Sequence, residues 1–177
     1  MEEKEYEKVL LFCGVLSTKG FPDELRRELE DEFGPIDVIS PSIPFSYTDY
    51  YVPEMGEGIE RFFISFTNLI SPDELTSAKL FTNRVEKKWA ENGGRKINLD
   101  PGTISAANVI LATTKNRSHR IAIGSRLFAE VTLIYQNKGF ASFSWTYSDY
   151  RSLEVQKILL EFRKNYLIKL KESRKEH

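Results

Sequence analysis

The segment Leu111-Ala-Thr-Thr-Lys-Asn-Arg-Ser-His-Arg120 gathers Lys115, Arg117, His119 and Arg120 among Thr and Ser hydroxyls. Cations beside hydroxyl donors suit a phosphate, whose oxygens act as acceptors for charge-assisted hydrogen bonds. His119 adds a group that exchanges a proton near neutral pH. Glu130 follows in the next apolar stretch, and a carboxylate beside an imidazole favours the charged ring and can position it as a general acid or base. The plainer reading of the same residues is a solvated sheet face with one cross-strand ion pair, contributing under about 1 kcal/mol. An ordinary basic surface loop fits Lys115, Arg117 and Arg120 equally well.

Turn chemistry is what would bring His119 and Glu130 together. Gly124-Ser125 suits a two-residue II′ turn between a strand at His119–Ile123 and one at Arg126–Gln136. That turn sets Ile123 opposite Arg126 and His119 opposite Glu130. Asn137-Lys138-Gly139 reads as a three-residue hairpin loop into a third strand, Phe140–Thr146, which sets Glu130 opposite Thr146. One face of this antiparallel meander then carries His119, Glu130, Thr132, Ser142, Ser144 and Thr146, and the core face carries Val131, Leu133, Phe143 and Trp145. Alternation turns Arg120 away from His119, so Arg120 joins the site only if the strand begins after it.

Two further constellations carry chemistry. Phe45-Ser-Tyr-Thr-Asp-Tyr-Tyr51 and Trp145-Thr-Tyr-Ser-Asp-Tyr-Arg151 are similar aromatic segments, each with an Asp between tyrosines. They suit Asx turns at Asp49 and Asp149, anchored by burial of Tyr47 and Tyr147, or alternatively platforms that stack a base or sugar. Tyr50, Asp100 and Thr132 complete the set of ligand-binding candidates. The carboxylates of Asp49, Glu54, Asp100 and Asp149 would suit Mg²⁺ if the fold gathered them, although Asp100 before Pro-Gly is first a turn residue.

The elements that must position these residues are legible in outline. Lys8–Leu16 is a near-continuous apolar run, as expected of a strand buried on both faces and central in its sheet. A helix opens at Pro22, shows Leu25, Leu29 and Phe33 on one face, and stops at Gly34-Pro35. Pro35–Phe45 reads as an irregular edge strand, residues 46–58 as a long loop, and Arg61–Phe66 as a strand. Ser71 and Glu74 form a capping box. The helix that follows shows Leu75, Ala78, Phe81, Val85 and Trp89 inward and ends at Asn92-Gly93-Gly94. Arg95–Leu99 is a strand, and Asp100–Thr103 a turn. Beyond it lies either a short helix at Ile104–Leu111 or a strand at Val109–Thr113. A long helix from Ser152 to Arg174, with Val155, Leu159, Phe162, Tyr166 and Leu170 on one face, closes the chain.

The expectation is an α+β domain over residues 1–177. A ferredoxin-like βαββαβ part at 8–99 precedes the meander and C-terminal helix at 100–177.

Composition narrows the function classes. The 177 residues carry 25 Lys and Arg against 26 Asp and Glu, a net charge of -1, with 41% hydrophobic and 29% charged residues. That balance argues against a disordered chain and against a dedicated duplex-DNA binder. No apolar run approaches the roughly 18 residues of a membrane helix. The acidic opening at Met1–Glu5 has no signal-like apolar stretch, so a cytoplasmic protein is expected. Cys13 is the only cysteine, and His119 and His177 the only histidines. An intrachain disulfide and four-ligand zinc sites are therefore excluded, and no P-loop, dinucleotide fingerprint or nucleophile elbow is present.

At SYTDYY, KINLDPG, ILATTK, HRIAIG, AEVTLIY and WTYSDY the sequence resembles an uncharacterised prokaryotic family, domain of unknown function 4416, over nearly its whole length. The family has no assigned activity, so the resemblance supplies no catalytic residue and leaves the cofactor unspecified. Two-histidine phosphoesterases share a ferredoxin-like opening but need two His-x-Ser/Thr motifs, whereas the one internal histidine here precedes Arg-Ile.

The leading expectation is binding or processing of a small phosphorylated or nucleotide-like ligand. Lys115, Arg117 and Arg120 would hold the anion, and His119 and Glu130 would stand at the reacting end. The alternative is a non-catalytic RNA- or protein-interaction module using exposed tyrosines or the last helix, and a homo-oligomer is compatible with either.

Overall fold

A computed structural model describes residues 4–176; Met1–Glu3 of the acidic opening and the terminal His177 lie outside the described residues. Strand β1 (Val9–Ser17) is buried at every position. It lies between β4 (Glu60–Ile70) and β5 (Ile97–Ile104), antiparallel to both. Its unbroken apolar run follows from covering on both faces. Leu11, Cys13 and Val15 pack with Leu25 and Leu29 of helix α1 (Asp23–Phe33) and with Ala78 and Val85 of α3 (Leu75–Lys88). Leu10 and Phe12 pack on the other face with Leu159, Phe162 and Tyr166 of the last helix, α5 (Leu153–Lys175). The apolar stripe expected on that helix is thus core rather than a free docking face.

The fold is a mixed α/β arrangement around a mostly antiparallel sheet. Among the described residues nine strands form one sheet. On its outer side β4 pairs with β2 (Ile36–Ile39) and then with β3 (Ile43–Pro44). Prolines 35, 41 and 44 interrupt this edge, where missing donors cost least. Within the following loop, Val52–Met55 forms a single helical turn, α2. The capping box is present, with the Ser71 amide donating to the Glu74 carboxylate at 2.6 Å. It opens a 3-10 turn at Pro72–Glu74 that leads into α3.

Four expectations are corrected. Asp100-Pro101-Gly102-Thr103 is not a turn but the middle of β5. Strand β6 (Asn108–Thr113) pairs with β5 only from Gly102 onward, so Pro101 has no partner strand awaiting a donor on that side. Gly102 allows the Phe12 ring to lie across the strand, since a Cβ there would stand 2.7 Å from the ring and 2.7 Å from the Ile110 carbonyl oxygen. Second, residues 108–113 are extended, so the helix weighed for Ile104–Leu111 is absent.

Third, the meander turns each differ by one residue. Strand β7 (Ile121–Gly124) turns through Ser125-Arg126 into β8 (Leu127–Gln136), pairing Gly124 with Leu127. Strand β9 (Gly139–Ser142) follows a turn at Asn137-Lys138, pairing Gln136 with Gly139. All four turn residues have φ between 51° and 64°, the positive values of type I′ turns. Fourth, β6 occupies one side of β8, so β7 and β9 share its other edge end to end rather than flanking it. Residues 143–146, expected to continue the third strand, instead form a turn before α4 (Ser148–Arg151).

Candidate functional site

Pairing of β5 with β6 stops at Gly102 and Leu111, while both strands run on. They splay apart, and a cleft of about 880 Å³ opens there. One wall is the Asn98–Asp100 end of β5, backed by Lys79 and Glu86 of α3; the other is the Leu111–Lys115 end of β6. The two aromatic segments at 45–51 and 145–151 also contribute to the lining.

The floor is a buried ion-pair network. Arg61 projects from β4, donates from Nε to Oδ2 of Asp149 at 3.0 Å and holds Nη2 at an ion-pair distance of 2.8 Å from the same oxygen. Its Nη1 stands 3.4 Å from Asp100 Oδ2, and its guanidinium lies 5.1 Å from the Phe63 ring centroid. Burial disfavours the cation, but Asp149, Tyr150 and Asp100 outweigh that cost and raise its pKa above the usual arginine range. Asp100 also accepts from Asn98 Nδ2 at 3.0 Å. Beside it, Arg95 grips Glu54 with two bonds of 2.7 and 2.9 Å and donates to Asn98 at 2.6 Å. That grip holds the Glu54 carboxyl below its ordinary pKa. Glu86 accepts the Leu99 amide at 2.7 Å, and burial raises its pKa.

Tyr150 lines the cleft at 1% exposure, and its buried hydroxyl has no hydrogen-bond partner among the described residues. Burial pushes this phenol well above its usual range, so it stays protonated. Cys13 lies behind the network; burial first and Asp100 second push its thiol up, which leaves it no nucleophile.

The second centre is Glu130, 1% exposed on β8. Its Oε1 lies 2.7 Å from His119 Nε2 and accepts from Arg120 Nε at 3.1 Å, while Oε2 accepts from Thr132 Oγ1 at 3.2 Å. The corrected register pairs Ile121 with Ala129, so the strand begins after Arg120 and both preceding residues reach Glu130 from a turn. Arg120 also donates from Nη1 to the Lys115 carbonyl at 2.8 Å and from Nη2 to the Tyr147 hydroxyl at 3.0 Å. Its fork is occupied within the protein, so it positions the loop. Lys115 is exposed, with Nζ 3.1 Å from the Tyr50 hydroxyl and 5.0 Å from that ring's centroid. Arg117 is exposed beside it.

The structure therefore brings His119, Glu130, Lys115, Arg117, Arg120, Tyr50 and Asp100 to one cleft. Thr132 is not among its lining residues: fully buried, it supports Glu130 from behind. The expected face assignment also shifts, because an irregularity between Val109 and Ile110 in the β6–β8 pairing breaks the simple alternation. Trp145, assigned to the core face, lines the cleft at 37% exposure.

Tyr47 and Tyr147, expected to be buried anchors, are 39% and 46% exposed. The helical turn at Ser148–Arg151 directs Tyr150 inward instead. Asp149 Oδ1 accepts the Tyr150 amide at 3.0 Å, but at the first segment Thr48 Oγ1 takes the Tyr50 amide at 3.1 Å. The four carboxylates weighed for Mg²⁺ are not gathered: Glu54, Asp100 and Asp149 each meet an arginine, and Asp49 is exposed. Sequence reasoning missed Arg61, Arg95, Lys79 and Glu86. The available signal was polarity out of place, with an arginine opening an apolar strand and Lys79, Thr82 and Glu86 at helical spacing on a buried face.

Among the described residues no helix is long and apolar enough to cross a membrane. A family model described as domain of unknown function (DUF4416) matches residues 7–166, and the chain belongs to that family. No curated protein and no solved structure matches the chain.

Proposed function

We propose that this DUF4416 protein binds a small phosphorylated ligand in the splayed cleft, with the phosphate at Lys115 and Arg117 and the other end of the ligand at His119 and Glu130. The observation that carries this reading is local charge. Arg61, Lys79, Lys87, Arg95, Lys115, Arg117 and Arg120 line the cleft against Glu86, Asp100, Glu130 and Asp149, in a chain whose net charge is -1. Lys115 and Arg117 have no carboxylate within ion-pair distance among the described residues, so their donors are available to an anion. With Nε2 bonded to Glu130, Nδ1 of His119 is the ring nitrogen left to exchange a proton with a bound substrate.

The proposal includes a ferredoxin-like reading of the first half, supported by the strand order β2-β4-β1-β5 with α1 and α3 on one face. It also includes a cytoplasmic setting, which rests on composition.

Calorimetric titration with inorganic phosphate, ribose 5-phosphate and AMP at two ionic strengths tests the binding. Affinity should fall as salt rises. It should be lost in a Lys115→Ala, Arg117→Ala double variant whose melting temperature matches the parent. No binding by any of the three probes, or undiminished binding by the double variant, overturns the proposal. Much tighter binding of a single-stranded RNA oligomer than of AMP would replace it with the RNA-module reading.

A further inference from the structure

We infer that the ligand of this cleft carries a planar heteroaromatic ring, as a nucleoside phosphate does, and that the ring stacks on the face of His119 turned away from Trp145. This rests on the phosphate-binding reading above and narrows its substrate class.

The basis is two nearly parallel ring pairs that share Trp145. Phe143 and Trp145 stack at 4.5 Å with planes 9° apart, and Trp145 and His119 stack at 5.0 Å with planes 12° apart. Hydrogen bonds hold two of these rings in plane. The Trp145 indole donates to the Val131 carbonyl at 2.9 Å, and His119 Nε2 is bonded to the buried Glu130 at 2.7 Å. A platform held in this way loses little side-chain freedom when another ring joins it.

His119 and Trp145 both line the cleft. The phosphate cations stand close by, because Arg120 ties the Lys115 carbonyl to the same Glu130 oxygen that His119 contacts. A ligand with a ring at one end and a phosphate at the other, separated by a pentose, meets both features. Tyr147, half-exposed and held through its hydroxyl by Arg120, closes the rim beside them.

The test compares AMP with ribose 5-phosphate, which shares the sugar phosphate and lacks the ring. AMP should bind about tenfold more tightly, the scale of one base–aromatic stack. That ratio should fall toward one in His119→Ala and be retained in His119→Phe, which keeps a ring but not the proton chemistry. In the unmodified protein, AMP but not ribose 5-phosphate should move the His119 ring-proton resonances upfield, a readout that does not depend on any variant folding. Equal affinities for the two probes, or an absent ring-current shift, overturn the stacking inference while leaving phosphate binding intact. Failure of both probes to bind overturns the reading beneath it.

Discussion

Arg61 and Asp149 stand 88 positions apart in the chain, yet they meet at 2.8 Å with only 5% of either side chain exposed. This pair locks the segment before the last helix onto the sheet and forms the floor of the cleft. Removing one partner strands a buried charge, which costs about 3–5 kcal/mol. Chemical denaturation of Asp149→Ala should show a loss of that order. A change below about 1 kcal/mol, the level of an exposed pair, would show that the network is not a structural lock.

Tyr150 should behave in the opposite sense. Its hydroxyl is buried without a partner, so folding removes it from water with no compensating bond. Tyr150→Phe deletes only that oxygen and should leave stability unchanged or raise it by about 1 kcal/mol. A lower melting temperature for this variant would reveal a hydrogen bond that the orphan hydroxyl makes in solution.

Gly102→Ala tests the crossing of Phe12 over β5. The added methyl carbon would fall 2.7 Å from both the Phe12 ring and the Ile110 carbonyl oxygen, and neither can retreat far inside a paired sheet. The expected cost is about 1–3 kcal/mol, the range for overpacking a core. Parent-like stability in urea would contradict the described β1–β5 register.

The Lys115–Tyr50 contact makes a prediction about pH. The hydrogen bond from Lys115, followed by its charge, holds the Tyr50 phenol below its usual pKa of 10.0. The folded state therefore favours phenolate. The contribution of this contact to stability is present above the unfolded pKa and is lost as pH falls through the lower folded value. Ultraviolet titration should show one tyrosine ionising ahead of the ordinary phenols, returning toward 10.0 in Lys115→Ala. Identical titration curves for parent and variant would refute the contact. Tyr50→Phe should also release Lys115 and tighten phosphate binding if the hydroxyl competes with the ligand.

The sequence by itself determined the features that depend on near neighbours. The run VLLFCGVL required covering on both faces and so a central strand. The i, i+4, i+7, i+11 spacing from Val155 to Tyr166 marked the buried stripe of the last helix, and Ser71 with Glu74 marked a helix start. It also placed His119, Lys115 and Arg120 in one short segment. The tertiary structure decided whatever depends on which strand lies alongside. Pro101 reads locally as a turn residue, yet it sits within β5 because β6 pairs with that strand only from Gly102 onward. The strand-level positions of His119 and Glu130 moved by one residue, because Ser125-Arg126 and Asn137-Lys138 take positive φ where glycine turns were expected. The His119–Glu130 contact survives that shift only because the strand begins at Ile121, which leaves the preceding turn free to reach inward. Arg61, Asp100 and Asp149 come from three distant segments. No local spacing relates them, and their union depends on the splay of β5 and β6 and on the packing of α4 over the sheet.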